Sequence, residues 1–149
     1  MEILPASLRD LPALRRVEQA CFPKDAWPLL DLLAVLTFPD VIRLKAEVDG
    51  QMVGFIAGDP RRDAGTGWIA TLGVLPEYRR QGIARLLLLE CERRMNTSIL
   101  RLCVRQENVE AIRLYETEGY THTDTWKNYY NDGGEALVME KYNPSAGYP

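Results

Sequence analysis

The chain has 149 residues, 46% of them hydrophobic and 26% charged, with a formal net charge of −3; this is the size and make-up of one globular domain, and no internal repeat or low-complexity linker divides it. An acidic balance excludes the broad basic face of a nucleic-acid-binding protein, and no apolar run reaches the roughly 20 residues of a membrane span, so neither nucleic acid nor a membrane is expected as a partner. The opening residues MEILPASLRD lack a signal-peptide layout, and Cys21, Cys91 and Cys103 are widely spaced with no metal-ligand pattern, so a cytoplasmic protein without a metal is expected.

Residues 2–4 read as a short strand that Pro5 interrupts. Ser7 is a good helix cap, and Leu8, Leu11, Leu14 and Val17 follow at near-helical spacing, so residues 8–20 read as an amphipathic helix that Cys21, Phe22 and Pro23 break. A second helix starts near Pro28, which a first turn accepts, carries Leu29, Leu32, Leu33 and Leu36, and stops at Pro39. The period then becomes extended. Residues 41–48 and 52–59 form a hairpin about Asp49 and Gly50, because this pair supplies the positive φ angles of a type I′ turn. Residues 68–74 are the next strand. A long helix runs to about Met95, with Ile83, Leu87 and Cys91 repeating every four positions, and residues 99–104 alternate as a strand. Asn108 can cap a helix over 109–118 that Gly119 ends. Residues 120–127 and 136–142 close the chain as a strand pair around the loop at Asp132, Gly133 and Gly134, and residues 143–149 read as a loose tail. The whole is an α/β arrangement, with helices covering a mixed sheet.

The chemistry gathers between the strand at residues 68–74 and the long helix, at Arg79, Arg80, Gln81, Gly82, Ile83 and Ala84. The first amides of a helix have no intrahelical acceptor, and with the positive end of the helix dipole they form a cradle for phosphate. Gly82 has no Cβ to hold an anion away from the backbone, Ala84 adds little bulk, and two arginines add positive charge. A tight turn with solvated arginines is the alternative reading of the hexapeptide alone.

In its setting the stretch resembles the acetyl-coenzyme A signature Q/R-x-x-G-x-G/A of the GNAT superfamily of N-acetyltransferases, met at Arg79, Gly82 and Ala84. The resemblance implies that this turn binds the pyrophosphate of acetyl-coenzyme A and that Leu72, Gly73 and Val74, on the preceding strand, pair with its pantetheine arm. The order of elements, β-α-α-β-β-β-α-β-α-β-β, is also that of the GNAT fold, with its mixed, mostly antiparallel sheet flanked by helices. A second segment agrees: residues 108–120 are similar to the family's N-x-x-A-x-x-x-Y-x-x-x-G-F/Y, met at Asn108, Ala111, Tyr115, Gly119 and Tyr120.

Acetyl transfer to an amine needs a neutral amine, a polarised carbonyl and a proton for the departing thiolate. By resemblance Tyr115 is the general acid, and its phenol, with an ordinary pKa of about 10, is protonated at neutral pH. Asn108 is implied to contact the cofactor, and as a helix cap it has a structural use as well. Cys21, Phe22 and Pro23, and the segment from Asn128, Tyr129 and Tyr130 to Met139, look like the protein N-terminal acetyltransferases, in particular the ribosomal-protein-alanine branch. Carried over, Phe22, Pro23, Tyr129 and Tyr130 line the groove for a peptide N-terminus; packing of two adjacent tyrosines, one in and one out, is the other reading.

The chain departs from that branch at Cys103, where the branch carries a glutamate proposed as the base. A thiol on an apolar strand is a small core residue rather than a nucleophile. An α-amine costs only roughly 0.3–0.7 kcal/mol to neutralise at pH 7.5, against about 4 for a lysine, so a weak base suffices for an α-amine: water leading to bulk solvent, to Glu107 or to His122, the last a surface residue first. Three functions stay open: transfer to the α-amine of a protein or peptide; transfer to a small-molecule amine such as a polyamine, amino acid or aminoglycoside; and a non-catalytic acyl-coenzyme A sensor.

Overall fold

The computed structural model describes residues 1–146. Seven strands form one sheet in the order β1-β2-β3-β4-β5-β7-β6: β1 Glu2–Pro5, β2 Ile42–Val48, β3 Gln51–Arg61, β4 Thr66–Val74, β5 Ile99–Arg105, β6 Thr121–Trp126 and β7 Ala136–Tyr142. Every neighbouring pair is antiparallel except β4 with β5. The α-helices are α1 Leu11–Cys21, α2 Leu29–Thr37, α3 Ile83–Met95 and α4 Val109–Thr117. This is the expected GNAT fold. Among the described residues no helix is long and apolar enough to cross a membrane.

The hairpin turns where Asp49 (φ 51°) and Gly50 (φ 77°) both take positive φ, as the Asp-Gly pair requires. Two boundaries differ from expectation for reasons of proline chemistry. Pro5 remains in β1, opposite Leu44, because an edge strand tolerates a missing N–H. A helix continuous from Leu8 would set the Pro12 ring against the Leu8 carbonyl, so Leu8–Asp10 form a separate 3-10 turn and α1 begins at Leu11. Ser7 closes that turn by donating its N–H to Asp10 Oδ2 at 2.8 Å.

The sheet is covered on both faces. Leu87, Leu88, Cys91 and Met95 of α3 are buried against Leu44, Val53, Ile56 and Ile69, while Leu14 and Val17 of α1 and Leu32 and Leu36 of α2 bury themselves against Phe55 and Ala57 on the other side. Each of the Leu, Val, Ile, Phe and Met side chains so removed from water contributes about 1.5–3 kcal/mol. One charged group is buried with its partners: Glu92 of α3 accepts from Lys141 Nζ at 2.9 Å and from the Tyr120 hydroxyl at 2.6 Å, tying α3 to β7. Asn143, read from sequence as the start of a loose tail, is buried instead and donates to Ser98 O at 2.8 Å and Glu92 O at 3.0 Å. Residues 147–149 of that tail lie outside the described residues.

Two irregularities of β4 open the site. Ala57 faces Thr71 and Gly58 faces Ile69, so Ala70 is an extra residue that bends the strand. The parallel pairing with β5 runs from Thr66 opposite Ile99 to Ile69 opposite Leu102 and then ends, although both strands continue. Beyond that point the two halves of the sheet part.

Candidate active site

A cavity of about 500 Å³ lies where β4 and β5 diverge. Ala70, Thr71 and Leu72 of β4 and Cys103, Val104 and Arg105 of β5 form its two sides, Ala111 and Tyr115 of α4 with its cap Asn108 close one end, and Phe22, Trp27, Trp126, Tyr129 and Tyr130 add an aromatic lining. Helix α4 reaches this position because Asn108 Oδ1 accepts from Ala111 N at 3.2 Å, which caps its first turn.

Tyr115 is buried, with its ring edge-on to Tyr120 at 5.7 Å between centres. Burial pushes its phenol pKa upward, and the neighbouring Tyr130 adds to the shift, so the hydroxyl keeps its proton. Cys103 is half-buried on the cavity wall, and burial raises its thiol pKa too. The thiol is therefore the resting form, as expected of a packing residue. Neither Glu107 nor His122 belongs to the cavity wall. Glu107 is exposed and pairs with Arg105 at 3.4 Å, and His122, exposed on β6, meets Thr125 Oγ1 at 2.8 Å.

The glycine turn sits between Val74 and α3. Gly82 has φ +81° and open space where a Cβ would stand, and Arg80 beside it also takes a positive φ of 62°. Among the described residues, the amide of Leu86 is the first in the helix to find a backbone acceptor, Gly82 O at 3.1 Å, so the N–H groups of Ile83, Ala84 and Arg85 are unspent. That donor set, with the open side of Gly82, fits a diphosphate. Of the two arginines expected to add charge, Arg79 is committed to the fold: its Nε donates to Val74 O at 2.9 Å and so shapes the turn. The Arg80 side chain is 88% exposed, 3.7 Å from Glu110. Gln81 is exposed, the Ile83 side chain is buried and Ala84 packs against the core, so the last two can offer a ligand only their backbone.

On β4, Leu72 lines the cavity, whereas Gly73, partly buried, and Val74, buried, do not. A Cβ on Gly73 would stand 3.0 Å from Cys21 Sγ and 3.3 Å from the Phe22 ring, so the glycine lets the end of α1 approach the strand. The Cys21 thiol donates to Val74 O at 3.3 Å, which leaves that carbonyl doubly used. Phe22 is on the cavity wall, and Pro23 beside it is exposed and does not line the cavity.

The aromatic side is a ladder. Trp68 and Trp126 lie 6.2 Å apart between ring centres, Trp126 and Tyr129 5.5 Å, and Tyr129 and Tyr130 4.9 Å. Tyr129 is half exposed and Tyr130 half buried, its phenol pushed up to about 12 chiefly by burial. Arg105 organises this side: it pairs with Asp25 through two nitrogens, with Asp132 at 3.0 Å, and lies 4.2 Å from the centre of the Tyr130 ring.

Sequence reading missed Arg105 with its two aspartates, the tryptophans, and the pair Glu18–Thr71. Glu18 is 2% exposed; its Oε1 accepts from Thr71 Oγ1 at 3.2 Å, and its Oε2 is buried without a hydrogen-bond partner among the described residues. Burial, opposed only by the Thr71 hydrogen bond, lifts this carboxyl to about 7. A signal was present, because Glu18 follows Leu14 by four residues and Val17 by one, and so falls in the apolar stripe of α1.

The chain is similar over its full length to an uncharacterized N-acetyltransferase of Methanocaldococcus jannaschii, with 35% identity and 96% of that protein covered. It is 29% identical to an N-alpha-acetyltransferase of Sulfurisphaera tokodaii, over 90% of this chain and 88% of that one. Among solved structures, the ribosomal-protein-S18-alanine N-acetyltransferase of Escherichia coli superposes with a TM-score of 0.86 at 26% identity, over 98% and 96% of the two chains. Residues 11–120 match the acetyltransferase (GNAT) family, and with the diverging strands and the open glycine turn already described, the chain belongs to that family and is an N-acetyltransferase.

Proposed function

We propose that the chain moves an acetyl group from acetyl-coenzyme A to the α-amine at the N-terminus of a protein or peptide, by direct attack, with Tyr115 as the proton donor and a water-relayed base. GNAT acetyltransferases use acetyl-coenzyme A, which supplies an acetyl thioester and leaves as the thiol. The amides of Ile83, Ala84 and Arg85 with Gly82 would hold its diphosphate, and Leu72 with its strand neighbours would guide the arm toward the cavity. Tyr115, protonated and buried at the cavity's end, is suited to give a proton to a leaving thiolate. Phe22, Tyr129 and Tyr130 wall the side on which an acceptor would enter.

The observation that carries the reading is a single cavity lined at once by Tyr115, by the free stretch of β4 and by an aromatic mouth between two loops. The names of the relatives point the same way, since those of Sulfurisphaera tokodaii and Escherichia coli are α-amine and ribosomal-protein-alanine acetyltransferases. The test is a panel of peptides of varied first residues, together with polyamines, amino acids and aminoglycosides, monitored by release of free thiol from acetyl-coenzyme A. Turnover on peptides that depends on the first residues, and is lost when the α-amine is blocked, is the expected result. Turnover on small amines alone would replace this reading with a small-molecule enzyme, and stabilisation by acetyl-coenzyme A without turnover would replace it with a sensor.

A further inference from the structure

The amine must lose a proton, and the branch's glutamate is absent at Cys103. We propose that the proton relay of this enzyme ends on Glu18, reached through the hydroxyl of Thr71. The proposal rests on the α-amine reading above and names where the water-relayed proton goes.

Three features of the geometry carry it. Thr71 lines the cavity and its hydroxyl already donates to Glu18 Oε1 at 3.2 Å, so a hydrogen-bonded path leads from the cavity into the wall. Glu18 lies one helical turn before Phe22, whose N–H donates to Glu18 O at 2.8 Å and which itself lines the cavity, so the helix that carries the carboxylate ends at the cavity wall. Its second oxygen is buried and has no hydrogen-bond partner among the described residues. A carboxylate kept almost wholly from water with one weak partner is costly, and such groups gather where protons are moved.

Few charged groups surround it. Thr71 meets it from β4 and Cys21 from its own helix, with Arg79 and Glu77 beyond that thiol, while β3 and α2 bring Phe55, Ala57 and Leu32 to the same cluster. Burial in this apolar setting accounts for a carboxyl that titrates near neutral pH, which is the range a proton acceptor needs.

The step balances as follows. As the amine nitrogen bonds to the acetyl carbon, a water takes the amine's proton and gives one of its own to Thr71 Oγ1, and the Thr71 proton passes to Glu18 Oε1. The carbon–sulfur bond breaks, and the thiolate takes the proton of the Tyr115 hydroxyl. Glu18 then returns its proton along the same path to solvent and Tyr115 regains one from solvent, so transfer from the neutral amine to give amide and free thiol releases no net proton.

The experiment compares wild type with Glu18→Gln, which keeps the shape and can still accept from Thr71, using a peptide acceptor and acetyl-coenzyme A across pH 5.5–9. Wild-type kcat/KM should climb through a limb with its midpoint near 7. In the variant the limb should vanish, leaving only the titration of the acceptor amine, and kcat should fall by about 100-fold with the affinity for acetyl-coenzyme A retained. Thr71→Val should show the same loss and Thr71→Ser should recover most of it, a pair that carries the test if Glu18→Gln does not fold. A variant at position 18 that keeps both rate and limb overturns the proposal, as does equal activity of the valine and serine variants. An active wild type with an unaltered Glu18→Gln condemns Glu18 alone, whereas a wild type inert toward every peptide overturns the α-amine reading and this relay with it.

Discussion

Arg105 and Asp25 stand 80 residues apart in the chain and meet at the cavity wall, where Arg105 Nη2 donates to Asp25 Oδ1 at 2.6 Å. The same guanidinium holds Asp132 and stacks on Tyr130, so one side chain joins the loop after α1 to the loop before β7. The two loops are the walls proposed for the acceptor. Arg105→Lys keeps the charge but loses the planar fork. Its expected effect is a rise of about 10-fold in the KM for peptide, near 1.4 kcal/mol, with acetyl-coenzyme A affinity within about twofold of wild type. Steady-state kinetics beside calorimetry would check this, and a parallel loss of cofactor affinity would show that the arginine only holds the fold.

Gly82→Val should weaken acetyl-coenzyme A by at least about 10-fold. The open space at the glycine would be filled, and a φ of +81° strains a branched residue by about 1–3 kcal/mol. Calorimetric titration with a folded variant is the measurement. An unchanged Kd would mean that the helix amides do not hold the diphosphate.

Tyr115→Phe should lower the single-turnover rate of acetyl transfer by about 100-fold or more while binding of acetyl-coenzyme A persists. Burial and the nearby Tyr130 raise the Tyr115 phenol, and among the described residues no hydrogen bond of its hydroxyl is lost in the variant, so its melting temperature should scarcely move. Rapid-quench kinetics with excess enzyme would show whether chemistry slows.

Glu18 sets a pH dependence of stability that is separate from activity. Its folded value of about 7 lies above the ordinary 4.5, so between those values the folded protein holds a proton that the unfolded chain releases. Stability contributed by this group is intact below about pH 4.5 and falls as pH rises toward 7, by roughly 3 kcal/mol in all. Glu18→Gln should therefore match wild type in urea midpoint at pH 4 and exceed it at pH 8. Parallel stability curves for the two proteins across that range would contradict the buried carboxyl's raised value.

Local patterns in the sequence were read with success where one short-range cause dominates. The Asp49–Gly50 hairpin, the helix Ile83–Met95 and the strand Ala136–Tyr142 follow from turn chemistry and apolar period alone. The clamp at Arg105 could not be seen because nothing nearby distinguishes a strand-end arginine that meets an aspartate 80 residues away from one in solvent. Arg79 shows the same limit: its charge is evident in sequence, but its use on Val74 O depends on how the turn folds back. The position of β7 between β5 and β6, and the end of pairing after Ile69, are set by tertiary packing and left no periodic trace.

The parting of β4 from β5 gives this sheet an unfinished border in its own interior. A border on the outside of a sheet invites other chains to add themselves and aggregate, whereas this one is flanked by the two halves of the molecule and roofed by side chains such as Phe22 and Tyr130. A partner that pairs with this border is expected to be extended and to carry amides of its own, in the manner of an added strand.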